Sequence, residues 1–204
     1  MKYHKEKICF SLVFLFLFSL SFISNSENLV KNPGFEEQTN KTPAFWSLFV
    51  KPQEGSFGKI DNNTYHTGEN SALLNNAMNY PREPMNNWSQ RIFLKANDNP
   101  NLHLEAWIKS QNVSRSYLLL QFWKQTPAQL LESKNTEIIS GTNDWGKVSL
   151  ETPITKGTDF LMLRCVIEGV GSAWFDDIYL SYSNEEEVNE EKINEKDIEK
   201  EIEK

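Results

Sequence analysis

Between Asn28 and Tyr182, apolar side chains alternate with polar ones instead of recurring at helical spacing. Leu102, Leu104, Ala106 and Ile108 point one way and His103, Glu105, Trp107 and Lys109 the other, which is the period-two pattern of a half-buried strand. Leu118, Leu120 and Phe122 likewise oppose Tyr117, Leu119, Gln121 and Trp123, and Leu161, Leu163, Cys165 and Ile167 oppose Met162, Arg164, Val166 and Glu168. A fourth strand sets Trp174, Asp176, Ile178 and Leu180 against Phe175, Asp177 and Tyr179. Shorter strands are expected at 71–74, 89–94 and 147–151, separated by clusters such as N-D-N-P and G-T-N-D. The stretch from Asn75 to Asn87 is polar, holds two prolines and reads as a long loop. Short strands at this spacing, without a convincing long helix, predict an all-β fold: an antiparallel β-sandwich or jelly roll.

The ends follow other rules. Lys2, Lys5 and Lys7 precede the uncharged apolar run Ile8 to Ile23, and Ser24 and Ser26 follow it, so residues 1–26 read as a secretory signal peptide. The alternative is an uncleaved anchor, although 16 residues fall short of the roughly 20 that a spanning helix prefers. A cleaved signal implies a secreted, periplasmic or cell-surface protein whose mature chain keeps Cys165 alone, hence no internal disulfide. Residues 183–204 form an acidic tail in which Lys and Glu each recur every four residues, so like charges would stack on a helix. It reads as a solvated, disordered or partly helical segment.

That tail holds ten acidic and four basic residues and so accounts for most of the chain's net charge of −7. The body from Asn28 to Tyr182 carries only −2, without the cationic excess that a nucleic-acid backbone requires. Of the histidines only His66 and His103 lie in the body, and neither an H-E-x-x-H nor a G-x-S-x-G sequence is present. Glu105 and Glu168 could still face one cleft as the carboxylate pair of a glycoside hydrolase. The reading preferred is that the chain is not an enzyme.

Four segments carry a family resemblance in order along the body: N-L-V-K-N-P-G-F-E-E (28–37), Y-H-T-G-E-N-S-A-L-L (65–74), N-D-W-G-K-V-S-L (143–150) and W-F-D-D-I-Y-L (174–180). Together they resemble the secreted carbohydrate-binding modules of families four, nine, sixteen and twenty-two. The resemblance implies a galactose-binding-like jelly roll over 28–182 and, often, a structural calcium ion. Its ligands here would be Glu36, backbone carbonyls from Gly68 to Asn70, and Asp176. Independently, an ionised Asp176 on the face of Ile178 and Leu180 would have to be paired or metal-bound, and calcium takes such oxygen ligands. A turn cap or an ion pair with Lys31 or Arg82 would also satisfy it.

A glycan site needs aromatic platforms with polar groups beside them, and in the family the concave sheet face supplies both. On the alternation above, Trp107 and Trp123 lie outward on neighbouring strands with Glu105, Tyr117, Gln121, Arg164 and Glu168. Trp46 and Trp88 are candidates for the rim, and Gln90, in a W-S-Q context, resembles a position near the family's cleft. The expectation is therefore a monomeric, non-catalytic protein that binds a polysaccharide or glycan outside the cytoplasm. The alternative is a structural or adhesive surface protein that uses the same sandwich without binding sugar.

Overall fold

The structure is a computed structural model and describes residues 26–51, 55–77, 85–94 and 101–183. Almost all of the expected signal peptide, the acidic tail and the centre of the expected 75–87 loop lie outside these residues. Among the described residues eleven strands follow one another: β1 (Gln38–Thr39), β2 (Thr42–Pro43), β3 (Ser47–Phe49), β4 (Phe57–Asp61), β5 (Ser71–Asn76), β6 (Asn86–Phe93), β7 (Asn101–Lys124), β8 (Gln129–Asn135), β9 (Ile139–Pro153), β10 (Phe160–Glu168) and β11 (Gly171–Ser183). Their pairings are antiparallel. The all-β sandwich expected from the alternation is thus the fold observed. Two loop ends become strand, because β5 runs on to Asn76 and β6 starts at Asn86.

The architecture turns on β7. Its N-terminal half pairs with β11 and β9, and β11 in turn pairs with β5 and β5 with β4. Its C-terminal half pairs with β10 and β8, and β10 continues to β6 and β3. The two expected strands at 102–109 and 117–123 are therefore one strand that leaves the first sheet and enters the second. The crossing falls where the register with β9 slips, between Ile108 and Ser116, and where Asn112 takes left-handed backbone (φ 49).

Both sheets press their inner faces into one core. Leu102, Leu104, Ala106, Ile108, Ala173, Phe175 and Leu74 come from one layer and Leu118, Leu120, Phe122, Leu161, Leu163, Cys165 and Ile167 from the other. A fully buried Leu, Ile or Phe contributes about 1.5–3 kcal/mol, so these interdigitating rows supply the main stabilisation. The layers also meet through a polar contact, since the Trp88 indole on β6 donates to the Leu73 carbonyl on β5 at 3.3 Å.

The N-terminal segment closes one edge. Leu29 N–H donates to the Leu180 carbonyl at 2.7 Å, and the Gln90 amide clamps Lys31 by accepting from its N–H and donating to its carbonyl, each at 2.8 Å. In the N-P-G-F turn the left-handed positions are Asn32 (φ 51) and Phe35 (φ 60) rather than Gly34. The Asn32 side chain holds the turn by donating to the Glu37 and Ala44 carbonyls and accepting from Glu37 N–H.

Candidate functional site

The outer face of β3, β6, β10, the C-terminal half of β7 and β8 gathers five of the expected ligand-binding residues: Tyr117, Gln121, Trp123, Arg164 and Glu168. At its centre Arg164 donates from Nε to Gln121 Oε1 at 3.0 Å and from Nη1 to Asn87 Oδ1 at 3.1 Å. Each amide is fixed in turn: Asn87 donates to the Met85 carbonyl at 2.7 Å, and Gln121 lies 3.4 Å from Ser133 Oγ. The guanidinium is thus held in one orientation, and partial burial lowers its pKa from the ordinary arginine value.

Towards one end the Tyr117 hydroxyl donates to Glu168 Oε1 at 3.0 Å, and Arg115 Nη1 approaches Glu168 Oε2 at 2.8 Å, an ion pair without hydrogen-bond alignment. Burial first, then the Glu168 charge and hydrogen bond, push the Tyr117 phenol up to about 12, with Arg115 opposing. Beneath these polar groups Tyr117, Leu119 and Val166 form a small second apolar cluster.

Towards the other end the face turns aromatic. Trp123 and Phe160 stack with ring centroids 6.2 Å apart and planes 5° from parallel. Phe93 lies 6.0 Å from Phe160 and is 59% exposed, and Arg91 sits over the Phe160 ring at 4.6 Å. Trp123 Nε1 is buried without a hydrogen-bond partner among the described residues.

The other expected ligand residues lie elsewhere. Trp107 and Glu105 sit on the N-terminal half of β7, so they face outward from the opposite sheet and cannot share a ligand surface with Trp123. There Trp107 stacks on His66 (4.0 Å, 15°), and Lys147 bridges to Glu105 at 3.1 Å. Glu105 and Glu168 therefore do not form the carboxylate pair considered from sequence. Trp46 and Trp88 are interior rather than rim residues: Trp46 packs on Phe35 at 4.9 Å and donates to the Asn32 carbonyl, and Trp88 is 2% exposed. Gln90 alternates with Trp88 and Ile92 on the inner face, where it serves the N-terminal clamp.

Asn87, Ser133, Arg115, Arg91, Phe93 and Phe160 complete the face and were missed from the sequence. Phe160 could have been found, because it stands two residues before Met162 in the outward phase of β10.

The expected calcium residues converge at the edge of the other sheet. A β-bulge between Asp176 and Tyr179, with Asp177 at φ 47, reverses the strand phase. Phe175 and Ile178 both point inward, and Asp176 pairs with outward-facing Trp107, so it does not share the face of Ile178 and Leu180 as expected. Asp176 is nonetheless buried, because the 62–70 loop covers it. Its Oδ2 accepts from His66 and Thr67 N–H (2.8 and 3.3 Å) and its Oδ1 from Asp177 N–H (2.8 Å). Burial, with the neighbouring Asp177 charge adding to it, raises the Asp176 carboxyl to about 6 against these hydrogen bonds.

Glu36 grips the next turn of the same loop. Its Oε1 accepts from Glu69 and Asn70 N–H (2.8 and 3.2 Å), and the Asn70 amide donates to its Oε2 at 2.5 Å. Gly68 (φ 68) leaves the room, since a Cβ there would stand 2.0 Å from Glu36 Oε1. Asp177 secures the loop's flank, with Oδ2 2.6 Å from His66 Nδ1 and Oδ1 accepting from the Thr67 hydroxyl at 2.6 Å. The loop thus presents amides, not carbonyls, to Glu36 and Asp176. Among the described residues no three His, Cys, Asp or Glu side chains converge as a metal site.

No protein-family profile matches the chain, and a search of curated proteins finds no match. Solved structures do match in fold. The family 16 carbohydrate-binding module-2 superposes with a TM-score of 0.52 at 17% identity, over 75% of this chain and 99% of that one. A family 61 module in complex with β-1,4-galactotriose gives 0.51 at 16% identity, over 78% and 100%. The enzymatically active domain of bacteriophage CBA120 tailspike protein 4 gives 0.59 at 15% identity over 76% of this chain, which spans only 21% of the tailspike chain. The fold is thus the jelly roll of carbohydrate-binding modules.

Proposed function

We propose that the protein is a non-catalytic carbohydrate-binding module acting outside the cytoplasm, and that it holds a glycan on the outer face of β3, β6, β10, β7 and β8. The observation that carries this reading is the parallel Trp123–Phe160 stack beside the fixed Arg164–Gln121–Asn87 array. Sugars present apolar C–H faces to aromatic rings and hydroxyls to amides and guanidinium groups. Affinity electrophoresis against xylan, β-glucan, mannan and galactan tests it. Retardation by at least one polymer, relieved by Trp123→Ala, is expected. No retardation by any glycan would leave the structural or adhesive reading in its place.

Calcium belongs to the same proposal. Glu36 and Asp176 both border Gly34, where a Cβ would lie 3.5 Å from Asp176 Oδ1 and 3.8 Å from Glu36 Cγ, and calcium takes carboxylate oxygens in flexible geometry. The 66–70 amides that now satisfy them would have to give way to loop carbonyls. Thermal unfolding in EDTA and in millimolar calcium checks this: the midpoint should rise with calcium in the native protein and not in Glu36→Gln.

A further inference from the structure

We infer that the glycan face is built for an anionic sugar, one bearing a carboxylate or a sulfate; this rests on the glycan-binding reading above. Arg164 stands at the centre of the face, partly buried, and its two hydrogen bonds among the described residues go to neutral amides. A guanidinium has five N–H donors, so three, including both on Nη2, are left without a partner among the described residues. Among the described residues no carboxylate lies within ion-pair distance of it. Glu168, the acidic residue on its own strand, is committed to Arg115 and Tyr117.

The surroundings have the same sign. On the outward positions of β6, β10 and the C-terminal half of β7, the ionisable side chains with ordinary charge at neutral pH are Arg91, Arg115, Arg164 and Glu168, a local excess of positive charge on a body that is slightly acidic. A neutral sugar could use these donors as hydrogen bonds, but it would leave a partly desolvated cation uncompensated. An anionic group supplies the missing charge and accepts from the planar fork. Arg91 over Phe160 adds a second cation beside the aromatic platform.

The test uses the full mature chain in affinity electrophoresis and isothermal titration with polygalacturonate, alginate and a sulfated galactan, against neutral galactan, xylan and mannan. Tighter retention by an anionic polymer than by the neutral ones, by about tenfold or more as expected of one charge-assisted contact, and weakening with added salt support the proposal. A preference for the polyuronates or for the sulfated galactan identifies the anion. Arg164→Gln should remove that preference by weakening binding of the anionic polymers about tenfold more than binding of the neutral ones, and Arg164→Lys should restore part of it. Equal, salt-independent binding of neutral and anionic polymers overturns the proposal and leaves the glycan-binding reading intact. No binding of any polymer overturns both.

Discussion

The carboxylate clamp on the 62–70 loop can be tested by adding one methyl group. Gly68 and Gly157 both have left-handed backbone (φ 68 and 86), but an alanine Cβ at 68 would meet Glu36 Oε1 at 2.0 Å, whereas nothing lies within 4 Å at 157. A left-handed alanine costs about 1–2 kcal/mol, and this should be the whole effect of Gly157→Ala. At Gly68 the methyl also displaces Glu36 from the Glu69 and Asn70 amides it now receives. Lost hydrogen bonds to a charged group cost about 1.5 kcal/mol or more, and the low end applies because this carboxylate is exposed. Gly68→Ala should therefore cost about 3 kcal/mol in total. For a domain of this size that is a fall in Tm of roughly 6–12 °C, against about 2–8 °C for Gly157→Ala. Thermal and urea unfolding in EDTA, followed by tryptophan fluorescence, measure both. Equal destabilisation by the two variants would refute the argument that Glu36 is what Gly68 makes room for.

Three further outcomes follow from the same geometry. Folding raises the Asp176 carboxyl from 3.8 to about 6, so this group's contribution is fully present below about pH 4 and is lost as pH rises through about 6. Urea midpoints in EDTA at pH 4.5 and 7 should show this loss in the native protein and not in Asp176→Asn. Trp123→Ala should weaken glycan binding by about tenfold or more, as for an aromatic anchor in a contact surface, while Trp107→Ala, on the opposite sheet, should leave binding unchanged in the same titration. Burial pushes the Cys165 thiol well above its ordinary range, so a thiol-disulfide reagent should label the native protein negligibly and label it fully in denaturant.

The strand pattern was legible because a half-buried strand writes its two faces into alternate residues. What alternation cannot record is which sheet a face belongs to. The inward residues of β7 step from Ser110 to Val113 and from Val113 to Ser116, two odd steps that restore the original parity. Trp107 and Trp123 therefore look like neighbours in phase, yet they point away from opposite sides of the sandwich. The D-D pair misled for a related reason: with Asp177 in left-handed backbone, a bulge shifts the phase, a conformation Asp tolerates better than most residues. Trp46 and Trp88 read as rim residues because they lie in or beside loops in the sequence, but backbone carbonyls at Asn32 and Leu73 satisfy their N–H groups inside the core.

Charge pairing across the candidate face shows the same limit. In the sequence Glu168 is the acidic residue nearest to Arg164, and both carry the outward phase. Four residues along an extended strand are about 13 Å, however, too far for an ion pair. Pairing on a sheet is decided by the residue directly opposite, and the β10–β7 register sets Glu168 against Arg115 and Arg164 against Leu119. Register thus neutralises Arg115 and leaves Arg164 to its amide neighbours. Moving an acid opposite Arg164, as in Leu119→Glu, should supply that charge from within and reduce binding of an anionic glycan more than binding of a neutral one.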